Sequence, residues 1–572
     1  MNNQNLTGFP SIDKPWMKYY SEEALNATVP DCSMFSYFYS LNKSKPDDIA
    51  LKYFQAKYTY GEVFSMIEQT AGAFISIGVK KGDIVTIALP NIPENIFCIY
   101  ALNKIGAVAN LIDLRAKGEI LANYLTEVKS KNAVVCTLFL ANALEIINQT
   151  AVKKLIVVSP VESLASPVRA LYELKNKAKM KDWHIISWRK FLSNSVSIPT
   201  VQMSGNDTAC IFHTSGTTGL PKGVMLPNKC FNAIPLNYRY CGIDFKENDI
   251  FLNQVPPFLA YNSVVSTNMP LCFHMCIILL PTYEPTKFAY HITKLKPNHV
   301  AAGPADWESF LHYKLAKDYS FLKCLGSGSD SINVKTKCKI NDLLSEKGCK
   351  YKIMEGYGMT EVGSAAVTNT PRFDILGSMG LPLPLTSVGI FDSMTNYELQ
   401  YGERGEICIC GETVMNGYYN MPEATAEVLR LHEDGKLWMH TGDLGYITED
   451  GCLYLEGRIK RIIIRFDGFK VSPFDIEKTI LKNDKVRECC CVGKVDSEHN
   501  HGQIPVVYVV REKGADVTDK ELIEELFLLC KSTLSERYIP KVIILIENMP
   551  LTSNGKVDYR ALEALAEKEY QS

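Results

Sequence analysis

Residues 214–223 read Thr214-Ser215-Gly216-Thr217-Thr218-Gly219-Leu220-Pro221-Lys222-Gly223 and follow a strand-like run, Thr208–His213. The stretch combines three glycines, three threonines, a serine and a lysine. Glycine reaches positive φ at no steric cost and lets the backbone approach a ligand closely. Successive N–H groups and hydroxyls then form an anion cradle, to which Lys222 adds a mobile positive charge. Polyphosphate is the natural guest. The Walker A pattern cannot be read in any register, so this is a phosphate loop of a different kind.

On both sides of this loop, short β-branched runs alternate with longer helical stretches. Ile84–Leu89, Ala133–Leu138, Leu155–Ser159, His299–Gly303 and Phe321–Gly326 read as strands, while Tyr60–Ile77 and 335–347 have helical spacing. Such alternation predicts βαβ units and parallel-rich sheets. From about Ser387 the texture changes to short strands separated by turns (Val388–Phe391, Glu406–Cys410, Cys452–Leu455), which predicts a β-rich subdomain. A boundary follows near Gly457–Lys460. Beyond it, helices over Ile476–Lys482 and Lys520–Leu534 and strands over Arg487–Val492, Ile504–Val510 and Lys541–Ile546 make a small domain with its own core. The expected architecture is a large N-terminal α/β domain with parallel-rich sheets and a β-rich subdomain, followed by a small mobile α+β C-terminal domain. The expected domains are 1–458, a hinge at 459–460, and 461–572.

The chain of 572 residues is 46% hydrophobic and 22% charged, with a net charge of −2, which excludes dominant disorder and a global grip on nucleic acid or anionic membrane. Its 18 cysteines form no C-x2-C pair; Cys272/Cys276, Cys408/Cys410 and Cys489–Cys491 read as small buried hydrophobes in a reducing compartment rather than as metal ligands. The polar start Met1-Asn2-Asn3-Gln4 lacks a basic, then apolar, leader, and no apolar run approaches the ~20 residues of a membrane span. A cytoplasmic protein without a transmembrane segment is expected; the oligomeric state is not legible.

Four further segments carry chemistry. Glu355-Gly356-Tyr357-Gly358-Met359-Thr360-Glu361 sets a tyrosine between glycines, where its ring can lie on a base, and a hydroxyl beside a carboxylate suited to phosphate and Mg²⁺. Asp443, in Thr441-Gly442-Asp443, offers two acceptor oxygens for ribose hydroxyls. Glu456-Gly457-Arg458-Ile459-Lys460-Arg461 places a basic run at the domain boundary, followed by Asp467-Gly468-Phe469-Lys470. Pro550-Leu551-Thr552-Ser553-Asn554-Gly555-Lys556 is a turn that projects Lys556.

Taken in order, the five segments resemble the adenylate-forming superfamily: acyl- and aryl-CoA ligases, adenylation domains of peptide synthetases, and firefly luciferase. The resemblance runs from about Ser40 to Lys556. It implies a two-step reaction, in which a carboxylate attacks the α-phosphate of ATP to give an acyl-adenylate and pyrophosphate, and a thiol then displaces AMP. By this resemblance Thr214, Ser215, Gly216, Thr217, Thr218, Gly219 and Lys222 hold the β- and γ-phosphates, Thr360 meets the α-phosphate and Glu361 ligates Mg²⁺. Tyr357 stacks on adenine, and Asp443 and Arg458 bind the ribose. Lys556 stabilises charge between the carboxylate and the α-phosphate. Lys460 is the hinge, and Gly468 lies on the path of the CoA pantetheine.

For the acid pocket the same resemblance implies Leu259, Gly303, Gly328, Gly356 and Gly363. Amino-acid-activating relatives resemble one another in an aspartate where this chain has Leu259, and many CoA ligases carry histidine there. An ammonium facing leucine would be desolvated without a counter-charge, so amino acids are disfavoured. Small residues and no obvious charge in the pocket favour an apolar acid. The expected protein is an AMP-forming acyl-CoA ligase using ATP, CoA and Mg²⁺, with a medium- or long-chain fatty acid as substrate. The alternative is a stand-alone adenylating enzyme that loads an aryl or fatty acid onto the phosphopantetheine of a carrier protein supplied in trans.

Overall fold

The computed structural model describes residues 6–169, 172, 185–214, 221–499, 501–552 and 556–568. It divides into two compact units, one formed by 1–389, 408–440 and 448–453, the other by 390–407, 441–447 and 454–572.

The first unit holds two large sheets. In one, eight strands run in the order Gly417–Tyr418, Lys222–Pro227, Thr208–Thr214, Val108–Leu111, Ile84–Ala88, Asn132–Cys136, Lys154–Val158 and Ile185–Ser187. The pairings from Thr208–Thr214 to Ile185–Ser187 are parallel; Lys222–Pro227 and Gly417–Tyr418 add an antiparallel edge. The other sheet has nine strands with a parallel centre (Ile353–Tyr357, Cys324–Ser327, His299–Ala302, Ile250–Asn253, Cys276–Leu279, Ile49–Tyr53) and antiparallel edges. Strand Cys324–Ser327 starts later than the expected Phe321–Gly326, because the residues before it form a turn that buries Leu322 and Tyr319 in the core.

The connecting helices follow from local signals. Helix Tyr60–Ser76 opens with a capping box in which Thr59 accepts from the Glu62 amide and Glu62 reaches back, and it buries Val63, Ile67, Ala71 and Phe74 on one stripe. Helix Pro93–Lys104 has no polar stripe: Pro93 to Asn103 are all buried, so periodicity does not reveal it. The β-rich segment appears as Thr386–Phe391, Gly405–Gly411, Leu437–Ile447 and Leu453–Arg458, part of a five-stranded sheet through whose strands the division between the units runs.

In the second unit, Val486–Val495 pairs antiparallel with Gln503–Arg511, which pairs parallel with Val542–Leu545. Helices Pro473–Ile480 and Asp519–Thr533 cover one face through Ile476, Ile480, Leu522 and Leu526; helix Tyr559–Lys568 covers the other through Leu562 and Ala566. The cysteine run 489–491 lies on the first strand, where side chains alternate between faces. Cys489 and Cys491 enter one core and Cys490 the other. None of the 18 cysteines forms a disulfide, and none is exposed. Among the described residues, no helix is long and apolar enough to cross a membrane.

Candidate active site

The described ends of the phosphate-loop motif lie on two strands paired antiparallel, Thr208–Thr214 and Lys222–Pro227. Thr214 ends one strand opposite Lys222 at the start of the next, and His213 stands opposite Gly223. Ser215, Gly216, Thr217, Thr218 and Gly219 lie outside the described residues. The Lys222 ammonium lies 4.8 Å from the centre of the Tyr418 ring, and the Tyr418 hydroxyl donates to Glu361 Oε1 at 2.9 Å. Tyr418 reaches this position because Gly417–Tyr418 is the outermost strand beside Lys222–Pro227, in register with Val224 and Met225. Burial, followed by the nearby Glu361 carboxylate, raises the pKa of the Tyr418 hydroxyl, which therefore stays protonated and donates. The sequence did not single Tyr418 out. Its only signal was the Gly417-Tyr418-Tyr419 run, which reads as an edge strand.

Glu361 is 5% exposed and sits in the 3-10 turn Thr360–Val362; its backbone carbonyl accepts from the Met415 amide at 2.8 Å. Gly363 closes this turn at φ +67°, where a side chain is strained and a Cβ would stand 2.3 Å from Cys230 Sγ. Thr360 is half-buried at the start of the turn. Tyr357 ends strand Ile353–Tyr357 and is 6% exposed. Behind it Glu355 pairs with Lys337 at 3.0 Å, both groups buried, and accepts from the Ile332 amide. Gly358 is required by close packing: a Cβ would come within 2.4 Å of the Ser364 carbonyl. The structure thus brings Thr214, Lys222 and Glu361 into one neighbourhood linked through Tyr418.

Of the expected acid-pocket residues, Gly303 and Gly328 are neighbours: a Cβ on Gly303 would lie 3.8 Å from the Gly328 carbonyl, and one on Gly328 would lie 3.3 Å from the Tyr261 hydroxyl. Gly356 packs on Val367 and Thr368 of the adjacent strand, and Gly363 on Cys230 and Thr413. Leu259 is half-buried in a turn and is followed by an eight-residue π-helix, Tyr261–Asn268, a geometry frequent at functional sites. Asp306, 2% exposed, accepts from the Gly303 amide at 2.8 Å and from Gln254 Nε2 at 2.7 Å. Burial raises its carboxyl pKa to about 7. The carboxylate caps the helix Pro304–Glu308, which is why a buried acid is tolerated there.

The second unit carries the other expected residues. Arg458 Nε pairs with Asp443 Oδ1 at 3.0 Å across neighbouring strands. Gly442 takes φ +71° within the strand Leu437–Ile447, and its amide donates to Glu406 Oε1 at 2.9 Å. Lys460 is exposed in the 3-10 turn Ile459–Arg461. Arg461, immediately after it, is held firmly: Nη2 lies 2.6 Å from Glu477 Oε1 and 3.0 Å from the Cys491 carbonyl, and the guanidinium stacks on Tyr559 at 3.9 Å. Arg404 joins Glu456 (2.9 Å) to Asp475 (3.3 Å). Gly468 sits at φ +74° in the turn between Ile463–Ile464 and Lys470–Val471, with nothing within 4 Å of where a Cβ would be. Lys556 is exposed, its carbonyl accepting from the Thr552 amide at 2.7 Å.

A family model of AMP-binding enzymes matches residues 39–419, and the model of the AMP-binding enzyme C-terminal domain matches 475–556. The chain belongs to the AMP-binding enzyme family. Relatives of this AMP-binding enzyme include the long-chain-fatty-acid–CoA ligase of Bacillus subtilis (strain 168), 29% identical over 96% of this chain and 97% of that protein. A probable 4-coumarate–CoA ligase of Dictyostelium discoideum is also 29% identical, over 88% of this chain and 91% of its own. The crystal structure of the anthranilate CoA ligase AuaEII in complex with anthranoyl-AMP superposes with a TM-score of 0.80 at 19% identity, covering 96% of this chain and all of that one. These relatives are AMP-forming acyl-CoA ligases, the enzyme class the motif order implied. The AMP-binding enzyme has the expected fold class, a large N-terminal α/β domain with mixed sheets and a smaller C-terminal domain.

Proposed function

We propose that the protein activates a carboxylic acid with ATP and transfers the acyl group to CoA. The observation that carries this is the linkage of Lys222, Tyr418 and Glu361 at the end of the phosphate hairpin. It offers a cation, an aromatic support and an oriented carboxylate where a polyphosphate would arrive. Joining the acid to AMP supplies the leaving group that a carboxylate lacks. The first step needs no general base, since the acid is already ionised near neutrality. It does require that the charges of two mutually repelling anions be neutralised. Thr214 and Lys222 would bind the β- and γ-phosphates together with residues 215–219, Thr360 the α-phosphate, Tyr357 adenine, and Asp443 with Arg458 the ribose. Lys556 would stabilise the charge that develops as the carboxylate attacks. The Glu361 carboxylate is an oxygen donor of the kind Mg²⁺ takes, one or two alongside substrate phosphates. When bound there, the ion would screen phosphate charge.

Between the two steps the C-terminal domain, 461–572, would turn about Lys460. Gly468 would then border the path of the thiol. The eighteen unpaired cysteines suit a reducing cytoplasm. The acid we assign is a medium- or long-chain fatty acid, supported by the B. subtilis relative and the small residues around Gly303 and Gly328. Asp306 and Gln254 beside Gly303 favour a second reading, an aryl acid bearing a hydrogen-bonding substituent.

Pyrophosphate exchange into ATP, without CoA, across acetate, octanoate, palmitate, benzoate, coumarate and amino acids tests the reading. Exchange with octanoate or palmitate supports the fatty-acid assignment; exchange with coumarate alone favours the aryl one. No exchange with any acid overturns the proposal. Saturation by free CoA then separates a CoA ligase from an enzyme that loads a carrier protein.

A further inference from the structure

His213 is the residue before the phosphate-loop motif, and its ring is fixed from several sides. Nε2 lies 2.7 Å from Asn110 Oδ1, while Asn110 Nδ2 donates to the Thr86 hydroxyl at 3.0 Å. Asn110 Oδ1 is therefore the acceptor, and the imidazole proton sits on Nε2. The Tyr124 ring packs at 4.6 Å. The other nitrogen, Nδ1, is buried without a hydrogen bond and stands 3.7 Å from Glu127 Oε2. Glu127 Oε1 is buried too and faces the Gly223 backbone, whose amide favours the ionised form, while the Glu127 side chain as a whole is 19% exposed.

A bare imidazole lone pair opposite a buried carboxylate is acceptor against acceptor. That contact becomes favourable when one proton lies between them. Glu127 is the last residue of helix Gly118–Glu127, where the helix dipole disfavours a negative charge. Burial raises its pKa to about 7 and lowers that of His213 to about 4. Both effects keep the proton on Glu127 below neutrality.

We propose that Glu127 and His213 share one proton, and that this link anchors the base of the phosphate hairpin, making His213 a positioning residue for the polyphosphate. The assignment rests on the reading of residues 214–222 as an ATP phosphate cradle. His213 is in register with Gly223, so the link ties helix Gly118–Glu127 to both strands that carry the loop. The other charged groups on these elements are Lys222 opposite Thr214, Glu119 at the far end of the helix, and Asp113, which is paired with Arg115. Once Glu127 loses its proton, its carboxylate repels Nδ1 and the link at the base of the two strands is lost. Affinity for ATP then falls as pH rises.

Calorimetric binding of ATP, with Mg²⁺ present, to the full-length protein at pH 6, 7 and 8 tests this. Wild-type Kd rises about threefold to tenfold from pH 6 to pH 8, the change expected when one proton is linked to binding. In Glu127→Gln the amide donates to Nδ1 at every pH, so Kd stays near the wild-type pH 6 value. Protonation of ATP itself affects both proteins alike and cancels in the comparison. A Glu127→Gln profile that parallels wild type overturns the proposal. No binding of ATP by the wild type overturns it together with the proposed function, which distinguishes the two failures. A second measurement needs no variant: the ¹⁵N resonance of His213 Nδ1 moves as Glu127 titrates near neutrality, and a resonance constant from pH 5 to pH 9 overturns the proposal.

Discussion

The Tyr418 hydroxyl donates to Glu361 Oε1 at 2.9 Å while the face of the same ring carries the Lys222 ammonium. One side chain thus orients the carboxylate assigned to Mg²⁺ and the lysine assigned to phosphate. Tyr418→Phe keeps the ring under Lys222 and removes only the donor. Hydrogen bonds to charged groups contribute about 1.5–3 kcal/mol, so the adenylation rate is expected to fall about tenfold or more. The half-saturating Mg²⁺ concentration should rise with it. A magnesium titration of pyrophosphate exchange checks this, and an unchanged midpoint would remove Glu361 from the metal role.

Lys556 is exposed. Lys556→Ala is expected to lower adenylation by about 10²–10³-fold, the cost of one lost charge-stabilising group. Transfer of a preformed adenylate to CoA should stay close to wild type. Measuring the two half-reactions separately decides the assignment, since equal losses in both would contradict it.

Lys337 and Glu355 form an ion pair with side chains 1% and 5% exposed, directly behind the Tyr357 strand. Lys337→Met leaves a buried carboxylate without its partner and is expected to cost about 3–5 kcal/mol. Thermal unfolding should show a lowered midpoint, with much of the loss recovered when Glu355→Leu is added. A single variant as stable as the wild type would mean that the pair is not desolvated.

Burial holds the Asp306 carboxyl at about 7, above the ordinary 3.8. Between these values the unfolded chain loses the proton and the folded protein keeps it. The folded state binds more protons, so this group makes stability fall as pH rises from about 4 to about 7, and the loss is complete above that range. Asp306→Asn is expected to flatten that slope. Denaturation midpoints of both proteins from pH 4.5 to pH 8 read it directly, and parallel curves would place the Asp306 pKa in the ordinary range.

Much of this molecule is legible from residue order alone. The strand that ends at Thr214 was readable because a β-branched run leads into a stretch dense in glycine and hydroxyls. Helix Tyr60–Ser76 was readable because its apolar residues recur at helical spacing. What escaped did so for physical reasons. Helix Pro93–Lys104 is buried on all sides and shows no period. Lys337 sits among polar residues that look like a solvated helix face, and only the fold supplies Glu355. Tyr418 lies 57 residues from the carboxylate it orients, so no local pattern joins them. Asp306 is held by the Gly303 amide and by Gln254, fifty-two residues earlier, a contact no local pattern predicts.

The anchoring of Arg461 has one more consequence. Arg458 is tied to Asp443 and Arg461 to Glu477, the Cys491 carbonyl and Tyr559, so only Ile459 and Lys460 lie between two fixed points. Any swing that preserves both anchors would be taken up by the backbone torsions from ψ of Arg458 to φ of Arg461. The half-exposed pair of Arg404 with Asp475 is cheap to open, at about 0–1 kcal/mol. In the proposed turn about Lys460 the join would act as a swivel pin rather than a leash, freeing almost no chain, at a cost in disorder close to that of ordering two residues, about 1–2 kcal/mol each.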